Sequence, residues 1–196
     1  MIKRTFDIIF SFLGILILSP VFILVSIAIV LNSRGGIFYS QRRVGKDNED
    51  FSILKFRTMK TDSDKKGLLT VGARDNRITG VGYFLRKYKL DELPQLFNVL
   101  QGSMSFVGPR PEVRKYVDMY DAEQRKVLLV SPGITDYASI EYSNENEILA
   151  RSQEPEQTYI NEIMPHKLKL NLKYISEKSF LTDIKIIFRT IGKVFS

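Results

Sequence analysis

The sequence predicts a helix-dominated α+β protein attached to a membrane, and three observations carry that expectation. First, the 26 residues from Ile8 to Ser33 include no charged side chain. Second, Phe38 to Phe56 alternate apolar and polar residues around a Gly-Lys-Asp-Asn turn, the pattern of a small β-hairpin. Third, Ile184, Ile187, Phe188, Ile191 and Phe195 recur at helical spacing near the C-terminus, while Lys185, Arg189 and Lys193 recur every four residues. That is an amphipathic helix with a basic face, suited to a membrane interface. Packing on a core explains it nearly as well, and only the apolar N-terminal segment tips the balance.

At 196 residues the chain supports one domain, or a domain with an appendage. It has no cysteine and one histidine, His166. These counts exclude disulfides, a thiolate nucleophile, Cys-bearing metal sites and a His-rich metal cluster. The net charge of +7 points to an anionic partner: nucleic acid, lipid or a phosphorylated substrate. Residues 34–89 hold fourteen Lys/Arg against six Asp/Glu, so the whole surplus lies directly after the apolar stretch. No nucleic-acid reader motif fits this block, and anionic headgroups are the closer partner.

Taken in order, the apolar stretch exceeds the ~20 residues that span a bilayer, and it is too long for a cleaved signal peptide. Ser19-Pro20 falls near its middle. Proline removes a backbone donor, and the Ser19 hydroxyl can satisfy the carbonyl so freed. Physics alone favours a kinked spanning helix. The alternative is a re-entrant helix-break-helix, towards which the flanks Lys3, Arg4, Arg34, Arg42 and Arg43 lean, since both ends carry the positive charge typical of a cytoplasmic side. After the hairpin, residues 60–80 read as a loop and Gly82–Lys89 as a helix. Another helix starts at Leu93-Pro94 and runs to about Leu100. Gly102 and Gly108-Pro109-Arg110-Pro111 break the chain, residues 113–130 form a helical window, and 140–163, with six Glu against Arg151, read as an acidic surface loop with short helix.

The densest chemical signal lies between residues 85 and 111. Asp91 and Glu92 immediately precede a proline-initiated helix, where exposed N–H groups favour anions and keep both carboxylates ionised. An ionised, positioned carboxylate can ligate Mg²⁺ or attack phosphorus. Ordinary helix capping explains an isolated Asp-Glu pair. Here Arg86, Lys87 and Lys89 lie just upstream, and Arg110 stands between two prolines that fix its backbone for bidentate phosphate contact. His166 has no recognisable catalytic partner and reads as a surface residue; Tyr83, Phe84, Phe97 and Phe106 read as core.

With these residues in place, the chain resembles the monotopic phosphoglycosyl transferases, a family of bacterial sugar transferases. The likeness runs to about Thr135. It rests on Lys3-Arg4 with Asp7, Ser19-Pro20, Gln41-Arg42-Arg43-Val44-Gly45, Phe51 to Met59 (FSILKFRTM), Asp75-Asn76-Arg77-Ile78-Thr79, Phe84-Leu85-Arg86-Lys87, Leu90 to Leu96 (LDELPQL) and Val107 to Pro111.

The resemblance implies that residues 1–33 form a re-entrant membrane helix broken at Ser19-Pro20. It implies that residues 34–196 form a catalytic domain on the cytoplasmic face of the bacterial inner membrane. Asp91 would attack a UDP-sugar and expel UMP, and a polyprenol phosphate such as undecaprenyl phosphate would then take the phospho-sugar, initiating glycoconjugate or exopolysaccharide assembly. Mg²⁺ would assist, with Asp91 and Glu92 as ligands, and Lys55, Arg57, Arg77, Arg86 and Arg110 would hold phosphates. A non-catalytic anionic-lipid adaptor and a membrane phosphohydrolase are the competing readings. One departure stands out. After Pro132-Gly133-Ile134-Thr135 the family commonly has a Gly, then a Gln and a Gly-Arg pair; here Asp136-Tyr137-Ala138-Ser139 follows, so sugar identity is open while the transfer chemistry is not.

Overall fold

The computed structural model describes residues 2–61, 63, 69, 71, 72 and 75–194. Lys65, Lys66 and Arg74 of the basic block, and Phe195 of the amphipathic pattern, lie outside the described residues.

The apolar segment is one 31-residue helix, α1 (Ile2–Asn32), with Pro20 inside it. Helical structure runs through Ser19-Pro20, so the two halves of the expected re-entrant segment join without a loop between them, and the local chemistry allows it. Pro20 cannot donate to the Leu16 carbonyl, but the Ser19 hydroxyl donates to that oxygen at 2.8 Å. Both ends of α1 are tied to the rest of the chain. Near the start, Lys3 Nζ donates to the Val107 carbonyl at 2.8 Å, and Arg4 donates to the Val99 and Leu100 carbonyls at 2.6 and 2.7 Å. Asp7 accepts from the Ser105 hydroxyl and the Phe106 N–H, both at 3.1 Å. At the far end Arg57 binds Ser33 and Gly36. Between them, Val25 and Ile29 are buried with Phe56 and Leu85. The opposite face leaves Phe12, Leu16, Ile17, Leu24 and Leu31 exposed.

The hairpin forms as the alternation requires. β1 (Phe38–Val44) and β2 (Asp50–Phe56) pair antiparallel, with Phe38 opposite Phe56 and Val44 opposite Asp50. Asp47 and Asn48 take positive φ in the turn, which their side chains tolerate. The helix expected at Gly82–Lys89 is α2 (Gly80–Lys87), capped by the Thr79 hydroxyl. A Cβ on Gly82 would stand 2.0 Å from the Thr58 carbonyl oxygen, so only glycine lets α2 cross the end of β2 this closely. α3 (Gln95–Gln101) begins after Pro94 and packs along α1.

Beyond it, β3 (Ser105–Val107) pairs parallel with β4 (Gly133–Thr135). The expected helix over 113–130 divides into α4 (Arg114–Val117) and a separate turn at Gln124–Leu129. The acidic stretch 140–163 is mostly folded rather than loop: α5 (Tyr137–Glu141), α6 (Glu145–Ala150), α7 (Pro155–Thr158) and a wide turn at Tyr159–Ile163. Leu149, Tyr159 and Ile163 from this stretch join Tyr116, Val117 and Leu168 in the largest buried cluster. Fully burying one such aliphatic side chain stabilises by about 1.5–3 kcal/mol.

α8 (Met164–Glu177) and α9 (Phe180–Val194) complete the chain. α9 packs on the core and also leaves apolar side chains uncovered. Ile186 is buried against Val107 and Tyr174, while Leu181, Phe188 and Ile191 remain exposed.

Candidate active site

Asp91 and Glu92 sit on a single tight turn, Leu90–Glu92, between α2 and α3. Lys89, just before it, takes the left-handed conformation at φ 56°. For a residue with a side chain this costs about 1–2 kcal/mol, held here by the helices on either side.

The two carboxylates have different surroundings. Glu92 Oε1 accepts from Lys55 Nζ at 3.1 Å, and Arg110 grips both Glu92 oxygens, its Nη1 donating to Oε2 at 3.1 Å and its Nη2 to Oε1. Burial would raise the Glu92 carboxyl, but Arg110 and then Lys55 hold it well below the usual range. Asp91 is buried, and that burial, reinforced by the neighbouring Glu92 charge, pushes its carboxyl up against the pull of Lys55 and Arg86. Burial likewise lowers the Lys55 ammonium, with Glu92 opposing. The uniform ionising influence expected from a helix N-terminus is thus replaced by a split pair.

Each cation is placed by a specific piece of structure. Lys55 comes from β2, whose outer edge is pinned by Asn98: its Oδ1 accepts from Leu54 N–H at 2.9 Å and its Nδ2 donates to the Ser52 carbonyl at 2.8 Å. One side-chain amide thereby substitutes for a neighbouring strand and joins β2 to α3. Arg86 lies in the last turn of α2. Arg110 is held by its own backbone, whose N–H donates to Asp136 Oδ2 at 3.0 Å; Asp136 Oδ1 accepts from Ser139 N–H at 2.6 Å and so caps α5.

Lys55, Arg86, Asp91, Glu92 and Arg110 are therefore brought together. Arg57 and Arg77 are not part of this cluster. Arg57 spends its guanidinium on Ser33 and Gly36 at the end of α1. Arg77 forms a bidentate pair with Asp75 and donates to the Leu69 carbonyl. Asn98 and Asp136 are positioning residues that the sequence reading missed. His166, read as a surface residue without a catalytic partner, is exposed, with its Nδ1 hydrogen-bonded to the Tyr142 hydroxyl at 2.8 Å.

Two cavities meet at Asp91. The larger, about 530 Å³, is lined by Gly36, Phe38, Phe56, Met59, Arg57 and Arg77, with Lys55, Arg86 and Asp91 at its inner wall. The smaller, about 190 Å³, is lined by Asp91, Glu92, Lys55, Arg86 and Arg110 on one side and Ser139, Tyr142, Ser143, Asn146 and Lys167 on the other. A third, about 180 Å³, lies beyond Arg110 and Lys167, and neither Asp91 nor Glu92 lines it.

No group of three or more His, Cys, Asp or Glu gathers among the described residues. A divalent ion here would need ligands from a substrate. Asp91 fits such a role, since Mg²⁺ is commonly held by one or two carboxylates plus phosphates. Glu92 fits it poorly, because both its oxygens already serve cations.

A family model described as "Bacterial sugar transferase" matches residues 1–196. The chain is 36% identical over its whole length to a UDP-N-acetylgalactosamine-undecaprenyl-phosphate N-acetylgalactosaminephosphotransferase of Aeromonas hydrophila, covering 44% of that protein. It is 37% identical, again over its whole length, to a UDP-glucose:undecaprenyl-phosphate glucose-1-phosphate transferase of Escherichia coli, covering 40% of it. Against the uncharacterized sugar transferase EpsL of Bacillus subtilis, identity is 37% over 98% of this chain and 87% of that one. The chain thus spans less than half the length of the first two relatives and most of the third.

Proposed function

The chain belongs to the bacterial sugar transferase family over its whole length, and from that premise we propose that it moves a sugar phosphate from a UDP-sugar to a polyprenol phosphate, undecaprenyl phosphate in the relatives' case. The observation that carries the reading is the division of labour at the carboxylate pair. Glu92 is occupied by Arg110 and Lys55, so it fixes the cations; Asp91 faces both cavities beside Lys55 and Arg86. A buried carboxylate with a raised pKa is desolvated, and a desolvated anion is the stronger nucleophile.

In this reading an Asp91 oxygen bonds to the β-phosphorus of the donor while the bond from that phosphorus to the bridging oxygen breaks, and UMP departs with the electron pair. A phosphate oxygen of the lipid then attacks the same phosphorus and the bond to Asp91 breaks, restoring the carboxylate. Lys55, Arg86 and Arg110 offset the charge that spreads over the phosphoryl oxygens. Mg²⁺, held by Asp91 and the donor's phosphates, would neutralise pyrophosphate charge when bound.

α1 is read as entering the cytoplasmic leaflet of the inner membrane and returning. Two tethers support this: Lys3 and Arg4 bind Val107, Val99 and Leu100, and Ser33 binds Arg57, so both ends of the helix lie on one body. A helix crossing the bilayer would have to give up one of them. The exposed apolar faces of α1 and α9 would lie in lipid.

The test is incubation with a panel of UDP-sugars, undecaprenyl phosphate and Mg²⁺. One donor should release UMP in step with lipid-linked product, and Asp91→Asn should release none. Full activity in that variant would refute the nucleophile assignment. Lipid binding without UMP release from any donor would favour an adaptor, and free sugar phosphate formed at full rate without lipid would favour a hydrolase.

A further inference from the structure

Transfer at phosphorus through a covalent intermediate imposes a geometric rule. In each step the attacking and leaving oxygens lie roughly in line across the phosphorus. Asp91 is the attacking oxygen in the first step and UMP leaves opposite it. In the second step Asp91 is the leaving oxygen, so the lipid phosphate must arrive from the side that UMP vacated. Nucleotide and lipid therefore use one region in turn, while the sugar, attached to the phosphorus throughout, stays where it is.

The two cavities that share Asp91 match this division, and we infer that the smaller one is the sugar subsite, with the wall formed by Ser139, Tyr142, Ser143 and Asn146 selecting which sugar is accepted. This inference rests on the transfer reading above. At about 190 Å³ it is the smaller of the two cavities that Asp91 lines, against about 530 Å³ for the other. Its far wall presents hydroxyl and amide groups, the chemistry that pairs with sugar hydroxyls. The Ser139 hydroxyl oxygen in that wall is buried without a hydrogen-bond partner.

The larger cavity has the opposite character. It runs from Asp91 to the end of α1, past Phe38 and Met59, with Lys60 and Arg77 along it. Apolar and cationic together, it suits partners that each carry a phosphate and differ in the rest, and its position at the end of α1 gives a membrane-held chain its shortest approach. Asp136 ties the wall of the smaller cavity to the reacting centre through Arg110.

The experiment compares donors in pairs that differ at one sugar carbon or one N-acetyl group: UDP-glucose with UDP-galactose, UDP-N-acetylglucosamine with UDP-N-acetylgalactosamine. UMP release is followed in a single turnover without lipid, and KM for undecaprenyl phosphate in the full reaction. Ser143→Ala combined with Asn146→Ala should change the ratio of kcat/KM within a donor pair at least tenfold and leave KM for the lipid within twofold. Met59→Trp, or the milder Met59→Phe if the former melts early, should raise KM for the lipid at least fivefold and leave the donor ratio unchanged. Donor preference that follows position 59 rather than 143 and 146, or that neither alters, would overturn the inference. Absence of UMP from every donor with the unmodified chain would instead remove the reading on which it stands.

Discussion

Asp136 makes an unusually direct link between a helix cap and an active-site cation. It is fully buried, and its two oxygens serve Ser139 N–H at the start of α5 and Arg110 N–H at the reacting centre. Asp136→Ala removes both acceptors. Loss of the cap costs about 0.5–2 kcal/mol. The second N–H, left without its acceptor, costs a further ~1–3 kcal/mol. We expect a combined loss of about 2–4 kcal/mol, or roughly 5–15 °C in Tm for a chain of this length. Asp136→Asn keeps one acceptor and should lose about half as much. Circular dichroism melts in detergent micelles measure the first effect. UMP release measures the second: freeing the Arg110 backbone displaces its fork from Glu92, and kcat/KM should fall at least ~10-fold in both variants. Asp118→Ala serves as the control, since Asp118 is exposed and only 3.9 Å from Arg114. An Asp136→Ala protein that melts with Asp118→Ala, or that keeps full activity, would refute the coupling.

The carboxylate pair makes a pH prediction with a definite sign. Burial and the Glu92 charge both raise Asp91, so the acid limb of kcat/KM should lie above the ordinary aspartate range near ~3.9. Glu92→Gln removes the like charge and frees Lys55 and Arg110 to act on Asp91, so the limb should move to lower pH even as the rate falls; a shift to higher pH would contradict the assignment. Topology has its own check, made easy by the absence of native cysteine. Cysteines placed at positions 2 and 36 should both be labelled from the cytoplasmic side by an impermeant reagent, and labelling from opposite sides would mean that α1 crosses the bilayer.

The parts of the fold readable in the sequence are those fixed by local pattern. Phe38 to Phe56 alternate, and the hairpin closes as that alternation demands. The segment 113–130 failed because its periodicity hides a restart. Gln124 N–H donates to Asp121 Oδ1 at 2.8 Å and Asp121 N–H to Gln124 Oε1 at 3.1 Å, a reciprocal capping pair that begins a new turn. Asp-x-x-Gln was there to be read. The stretch 140–163 misled because a few apolar residues anchor it: Leu149, Tyr159 and Ile163 are buried, while five of its six glutamates stay exposed. Its helices are too short to show a period. In the site, Asp91, Glu92, Lys55, Arg86 and Arg110 were named by motif, whereas Asn98 and Asp136 reach the site through residues 26 to 46 positions away. Arg57 and Arg77 stand outside that cluster, bound to the end of α1 and to Asp75, and line the larger cavity.

α1 is the middle layer of the molecule once lipid is counted. Its inner face closes the cluster around Phe56 and Leu85, and Gly14 lets it settle against Leu96. Its outer face has no counterpart among the described residues. Under the topology proposed above, the bilayer supplies that counterpart, so folding and membrane insertion share one free-energy surface rather than two. Cutting the chain after Ser33 to obtain a soluble fragment would strip the floor from Phe56, Leu85 and Leu96 and leave the Arg57 guanidinium without Ser33. For this protein, choosing a detergent is a choice about the hydrophobic core.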